Sequence, residues 1–151
     1  IVSPSVRSLM MANIRGKNSK PEILVRKILF SAGLRFRLHY RDLPGKPDIV
    51  LKGRRIAIFV HGCFWHAHQG CRYAKTPSSR TDFWIKKLQA NVERDKQHVE
   101  KLTAAGWRVL CIWECSTRSA PARELLQYRI LDWIRSDSGY GEISAPVLSS
   151  T

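Results

Sequence analysis

Acidic residues are scarce in this chain: 12 Asp and Glu stand against 26 Lys and Arg in 151 residues, a formal net charge of +14. That imbalance favours a polyanionic partner, held through phosphate contacts and counterion release, over the alternative of a merely soluble basic protein. Long apolar runs are also missing. None reaches the roughly 20 residues a membrane-spanning helix needs, so no membrane partner is expected. The opening Ile1-Val2-Ser3-Pro4 lacks the pattern of a secretory signal peptide, and without an initiator Met it reads as a processed or trimmed start. No internal repeat is present. Cysteine is limited to positions 63, 71, 111 and 115. With nothing marking secretion and histidines among the first pair, intracellular metal binding accounts for them better than two disulfides.

What is present fits one globular domain, with 44% hydrophobic and 25% charged residues. Residues 5–14 form a short basic, helix-compatible segment, followed by a polar turn. Ser19 caps a helix with Pro21 in its first turn, running to Gly33 with Ile23, Leu24, Ile28 and Leu29 on one stripe. Phe36, Leu38 and Tyr40 alternate with Arg35, Arg37 and His39 as a half-buried strand. Pro44-Gly45 turns into a second strand, Asp48 to Leu51, and Lys52-Gly53 turns into a third, Arg55 to Val60. Thr81 caps a long helix ending near Gly106. Trp107 to Trp113 is a fourth strand, and Pro121 to about Ile134 a last helix. The order α-β-β-β-α-β-α implies an α/β layer fold with a mixed sheet. Residues 1–135 form the domain, 1–18 its basic N-terminal segment, and the Ser- and Gly-rich residues 136–151 a flexible tail.

The most informative stretch runs from Val60 to Cys71. Its twelve residues carry three histidines, two cysteines and the adjacent aromatics Phe64 and Trp65, directly after the apolar run Ile56-Ala57-Ile58-Phe59. Groups able to bind metal or move protons are thus packed at the end of a buried strand. In a strongly basic chain this points to a metal-dependent enzyme acting on nucleic acid. Asp48, at the head of the second strand and preceded by Pro47, suits a nuclease core that presents catalytic groups from neighbouring strands. The usual acidic residue and Lys of the next strand are replaced by Phe59-Val60-His61.

His61-Gly62-Cys63-Phe64-Trp65-His66, Arg80-Thr81-Asp82-Phe83-Trp84, Asn91 to Asp95, and Gly106-Trp107-Arg108-Val109 through Trp113-Glu114-Cys115 resemble the very-short-patch repair endonucleases, from about Arg7 to Ile134. The resemblance implies a restriction-endonuclease-like core: a mixed sheet flanked by helices, with a structural zinc site. It implies a magnesium-dependent enzyme that nicks duplex DNA 5′ to the thymine of a T·G mismatch left by deamination of 5-methylcytosine. A bacterial, cytoplasmic, nucleoid-associated monomer is expected, with other mismatch-repair proteins as candidate partners. A restriction-type endonuclease on matched duplex and a silent zinc DNA-binding domain are the alternatives.

Three thiolates and one imidazole from Cys63, His68, Cys71 and Cys115 make a normal tetrahedral zinc set, with His66 as a competing choice for His68. The resemblance matches Cys63, His68 and Cys115 directly and Cys71 with a one-residue displacement. Cys111, mid-strand, reads as a small core residue. Asp48 is the obvious hard ligand for magnesium, joined by resemblance by the carbonyl of Val60. The same resemblance makes His66 the general base, Asp95 the acid that orients it, and His61 a contact to the scissile phosphate. It gives Glu22 a supporting role near the metal water; an ordinary exposed first-turn Glu is the alternative. Phe64, Trp65 and Trp84 match a major-groove wedge and Met11 a minor-groove insertion, against local core packing as the other reading. Arg7, Arg15, Lys17, Lys20, Lys86 and Lys87 are candidate phosphate contacts.

Overall fold

The computed structural model describes residues 18–146. Met11, Arg7, Arg15 and Lys17 lie outside the described residues. Helix α1 (Lys20–Ser31) starts where the Ser19 hydroxyl accepts the Glu22 N–H at 3.3 Å, with Pro21 in the first turn, where no N–H is needed. Helix α2 (Thr81–Ala104) ends at Gly106, whose φ of +88° lets the N–H of Trp107 return to the Leu102 carbonyl at 3.0 Å. This is a Schellman closure, and it satisfies carbonyls the helix end would leave orphaned. At the other end of α2 the expected cap differs. Arg80 takes the cap position in a left-handed conformation, and the Thr81 hydroxyl donates back to the carbonyls of Pro77 and Ser78.

The strands are β1 (Arg37–Leu38), β2 (Ile49–Leu51), β3 (Ile56–His61), β4 (Arg108–Trp113) and β5 (Tyr140–Ile143), and helix α3 (Ala120–Arg135) precedes β5. They form one sheet in the order β1-β2-β3-β4-β5. The first two pairings are antiparallel and the last two parallel, so α2 is the crossover that the β3–β4 pair requires. Only Arg37 and Leu38 of the expected 35–40 strand pair with β2, because His39 turns to a φ of +51°.

The sheet is covered on both faces. Val25 and Leu29 of α1 and Leu126 and Ile130 of α3 pack on Ile49, Leu51, Ile56, Ile58, Leu110 and Ile112. Val25 thus takes the core place that the stripe gave to Ile23, which is exposed. Leu102 of α2 packs on Ala57, Phe59 and Val109 from the other side. Because strand side chains alternate, His61 follows Phe59 onto the α2 side.

The segment from 136, expected to be a flexible tail, is a correction: residues 140–143 are a parallel strand with Ile143 buried in the core. The Ser/Gly composition conceals how the turn is held. The Arg108 guanidinium donates to the carbonyls of Trp133, Ile134 and Ser138 at 2.9, 3.1 and 2.8 Å and fixes the passage from α3 into β5. Among the described residues no helix is long and apolar enough to cross a membrane.

Candidate active site and metal centre

Three groups of side chains converge at the ends of β2, β3 and β4. The first is His61, His66 and Asp95. His61 ends β3, His66 follows in the loop, and Asp95 reaches in from the middle of α2. The His66 Nδ1–H donates to Asp95 Oδ2 at 2.6 Å, which leaves Nε2 as the free basic nitrogen. The two imidazoles stack, centroids 3.7 Å apart. Burial, reinforced by the neighbouring His66, pushes His61 down to about 3, so it is neutral at physiological pH. Burial alone would raise the Asp95 carboxyl, but the His66 hydrogen bond and the nearby imidazoles hold it below its usual value. The loop is secured by Asn91, whose side-chain amide donates to the Trp65 carbonyl at 2.9 Å.

The second group is Glu22, His39 and Asp48. The Val60 N–H donates to Asp48 Oδ2 at 2.7 Å, bringing the carboxylate beside the end of β3. Burial lifts Asp48 to about 7; the Val60 hydrogen bond opposes this and the charge of Glu22 adds to it. Glu22 is not the exposed first-turn residue of the alternative reading. It is 3% exposed, accepts the Asn18 N–H and pairs with Arg26 at 3.1 Å. Arg26 also points Nη2 at His39 Nε2, 3.3 Å away. The loop leading to Asp48 passes tightly over α2: Gly45 has φ +77°, and a Cβ there would lie 2.8 Å from a ring carbon of His98.

The third group is Cys63, His68, Cys71 and Cys115, whose ligand atoms all lie within 4.8 Å of one another. His68, not His66, belongs to it: Nδ1 is 3.6 Å from Cys115 Sγ. Burial raises the Cys63 and Cys115 thiols. The His68 ring lies flat against Trp113, 3.9 Å between centroids. Cys111 is buried, as expected of a core residue, but its Sγ also sits 3.2 Å from His61 Nδ1.

Phe64, Trp65 and Trp84 form one aromatic cluster, with centroid separations of 4.9 Å between the first two and 5.4 Å from Phe64 to Trp84. All three are only partly buried, and Phe83 beside them is 45% exposed. Sequence reasoning missed His39, Arg26, Trp113 and Glu142. The alternation puts His39 on the polar side of a strand, but that strand stops at Leu38. Trp113 and Glu142 need the β4–β5 pairing, for which the sequence carried no sign.

A carboxylate-backed imidazole beside a buried acidic pocket, on a strongly basic α/β chain, has the equipment of a phosphodiester hydrolase, and comparison with known proteins makes the class a DNA endonuclease. Residues 1–73 match the family model described as DNA mismatch endonuclease Vsr. The type II nicking enzyme V.XorIIP of Xanthomonas oryzae is 49% identical over 131 residues, covering 87% of this chain and 96% of the relative. V.NmeAIP of Neisseria meningitidis is 43% identical over 127 residues, 83% of this chain and 90% of the relative. The DNA mismatch endonuclease Vsr of Escherichia coli K12 is 39% identical over 141 residues, 92% of this chain and 90% of the relative. The chain belongs to the Vsr family of DNA-nicking endonucleases.

Proposed function

We propose that this endonuclease nicks duplex DNA 5′ to the thymine of T·G mismatches, with magnesium at Asp48 and a structural zinc at the cysteine cluster, on a restriction-endonuclease-like core. The observation that carries the reading is the His61–His66–Asp95 arrangement, one nitrogen of His66 fixed by a carboxylate and the other free to take a proton. Such an assembly is general-base equipment. A relative 39% identical to this chain is named a mismatch endonuclease.

The donor sets fit the two ions. Bond lengths of about 2.3 Å to sulfur and 2.0–2.1 Å to nitrogen put the S···N edge of a zinc tetrahedron near about 3.6 Å, the separation of Cys115 Sγ and His68 Nδ1. Three sulfurs and one nitrogen close such a site completely, as a structural ion requires. Asp48 offers hard oxygen in a pocket where burial outweighs the Val60 hydrogen bond and Arg26 and lifts the carboxyl to about 7; a divalent cation held there by Asp48 and the Val60 carbonyl would favour the charged form. Bound magnesium neutralises phosphate charge and acidifies its water.

The chain's own groups do the rest. His66 removes the water proton through Nε2, Asp95 holds the ring and stabilises the imidazolium, and neutral His61 contacts the scissile phosphate. Glu22 braces the pocket from α1. Phe64, Trp65 and Trp84, with Met11 from the N-terminal segment, are the proposed wedge that opens the base step. The protein acts as a cytoplasmic, nucleoid-associated monomer. Strand-specific nicking of T·G, T·A and C·G versions of one duplex, with and without magnesium, tests this. Cleavage confined to the thymine strand of T·G supports it, and equal cleavage of matched duplex favours a restriction-type activity instead.

A further inference from the structure

The C-terminal segment reaches the cysteine cluster by two routes, one direct and one through Trp113. The Ala145 N–H donates to Cys115 Sγ at 3.2 Å. Three residues earlier, Glu142 Oε1 accepts the Trp113 indole N–H at 2.7 Å. Trp113 in turn lies parallel to His68, with planes 6° apart, and sets its edge against His61 at 5.4 Å. We propose that residues 142–145 are the outer wall of the metal centre: Glu142 fixes the Trp113 plane on which His68 rests, and the Ala145 amide holds the Cys115 sulfur.

The physical case has two parts. A backbone N–H aimed at sulfur favours the thiolate that an ion needs, and it fixes the direction of the sulfur lone pairs. An indole N–H given to a carboxylate is a charge-assisted bond, which limits rotation of the largest ring in the site. A ring that cannot rotate presents one face to His68, so Nδ1 keeps its direction towards Cys115. Because the same indole abuts His61, Glu142 is also a positioning residue for the catalytic pair. This inference rests on the zinc reading above, not on mismatch specificity.

The alternation of β5 provides an internal control. Glu142 and Ile143 are neighbours, but Ile143 faces the opposite core with Leu126 and Ile130. The test is zinc release from the purified full-length, zinc-loaded protein into excess chromogenic chelator, with the urea midpoint measured in parallel. Ala145→Pro, which removes the N–H, is expected to release zinc about tenfold faster. Glu142→Ala, one contact further away, is expected to release it about threefold faster, with Glu142→Gln near wild type because the amide oxygen still accepts. Ile143→Ala should lower the urea midpoint most and leave zinc release within about twofold. Wild-type release rates in both Ala145→Pro and Glu142→Ala would overturn the proposal. So would equal acceleration by Ile143→Ala, which would reduce the effect to general loosening. A purified chain that holds no zinc at all defeats the zinc reading and this inference together, whereas bound zinc indifferent to Glu142 and Ala145 defeats this inference alone.

Discussion

The imidazole of His61 lies flat on that of His66, the two planes within 5° of parallel. Two rings so placed cannot both carry a positive charge without strong repulsion, so at most one of the two histidines is charged. Asp95 supports charge on His66, and His61, desolvated, stays neutral. In the proposed reaction this stacked unit would offer one proton acceptor and one neutral contact to the phosphate.

We expect His66→Ala and Asp48→Ala each to lower the nicking rate by about 100-fold or more while leaving duplex binding intact. Because the two groups serve one step, the double variant should be little worse than either single one. Single-turnover nicking beside a binding titration checks this. Substantial magnesium-dependent cleavage by Asp48→Ala would move the site elsewhere.

The buried groups set opposite slopes of stability with pH. The unfolded chain takes up a proton on His61 near 6.5, and the folded chain only near 3, so stability falls as pH drops from about 6.5 towards 3. Asp48 acts the other way: the folded carboxyl keeps its proton up to about 7, and the unfolded one loses it near 3.8. Without magnesium, the Asp48 contribution to stability therefore falls as pH rises from about 4 through 7. Asp48→Asn keeps an acceptor for the Val60 N–H and removes the charge. We expect it to be inactive yet more stable than wild type at pH 8, on the order of 2 kcal/mol, in magnesium-free urea titrations. An Asp48→Asn stabilisation that is the same at pH 4 as at pH 8 would contradict the assignment.

One zinc per chain is expected, and Cys115→Ala should cost much of the folding stability, since binding at a closed site is coupled to folding. Metal analysis and thermal unfolding with and without chelator measure both. Purified protein lacking zinc, or joined by a Cys63–Cys71 disulfide, would refute it.

If Phe64 and Trp65 act as a wedge, unstacking a T·G wobble costs less than unstacking a matched pair. Stacking on an aromatic is worth roughly 1–3 kcal/mol per base, or about 5- to 150-fold in discrimination. Trp65→Ala should therefore erode the T·G preference more than it weakens binding to matched duplex, with zinc content unchanged. Loss of Lys86 or Lys87 should weaken both substrates alike and flatten the salt dependence. Equal losses on both duplexes for Trp65→Ala would make the cluster a packing feature.

Local signals carried most of the architecture. The Ser19 cap and Pro21, and the glycine ending α2, announce helices through interactions within a few residues, and the structure bears them out. The cysteine cluster was legible because three of its members lie within nine residues. What was hidden depends on partners far away in sequence. Strand β5 is a polar, Gly-containing stretch whose place is set by β4 and by Arg108 reaching across to the Trp133, Ile134 and Ser138 carbonyls. His39 looked like one more polar residue of an alternating strand, and only its left-handed backbone turns it into the pocket of Glu22 and Asp48. Glu22 was ambiguous because helix capping and a site role ask for the same residue at the same position.

Cys63 and Cys115 stand 52 positions apart in the chain, yet both belong to one cluster within 4.8 Å. An ion shared between them ties the loop after β3 to the end of β4 and closes a ring that encloses the whole of α2. Such a clip removes freedom from the unfolded chain much as a disulfide does, and the loss grows slowly with the size of the ring. Unlike a disulfide it needs no oxidant, and it is undone by chelation or acid rather than by thiols. With an ion in the cluster, the durability of the fold would answer to metal supply and to pH, two levers a disulfide does not have.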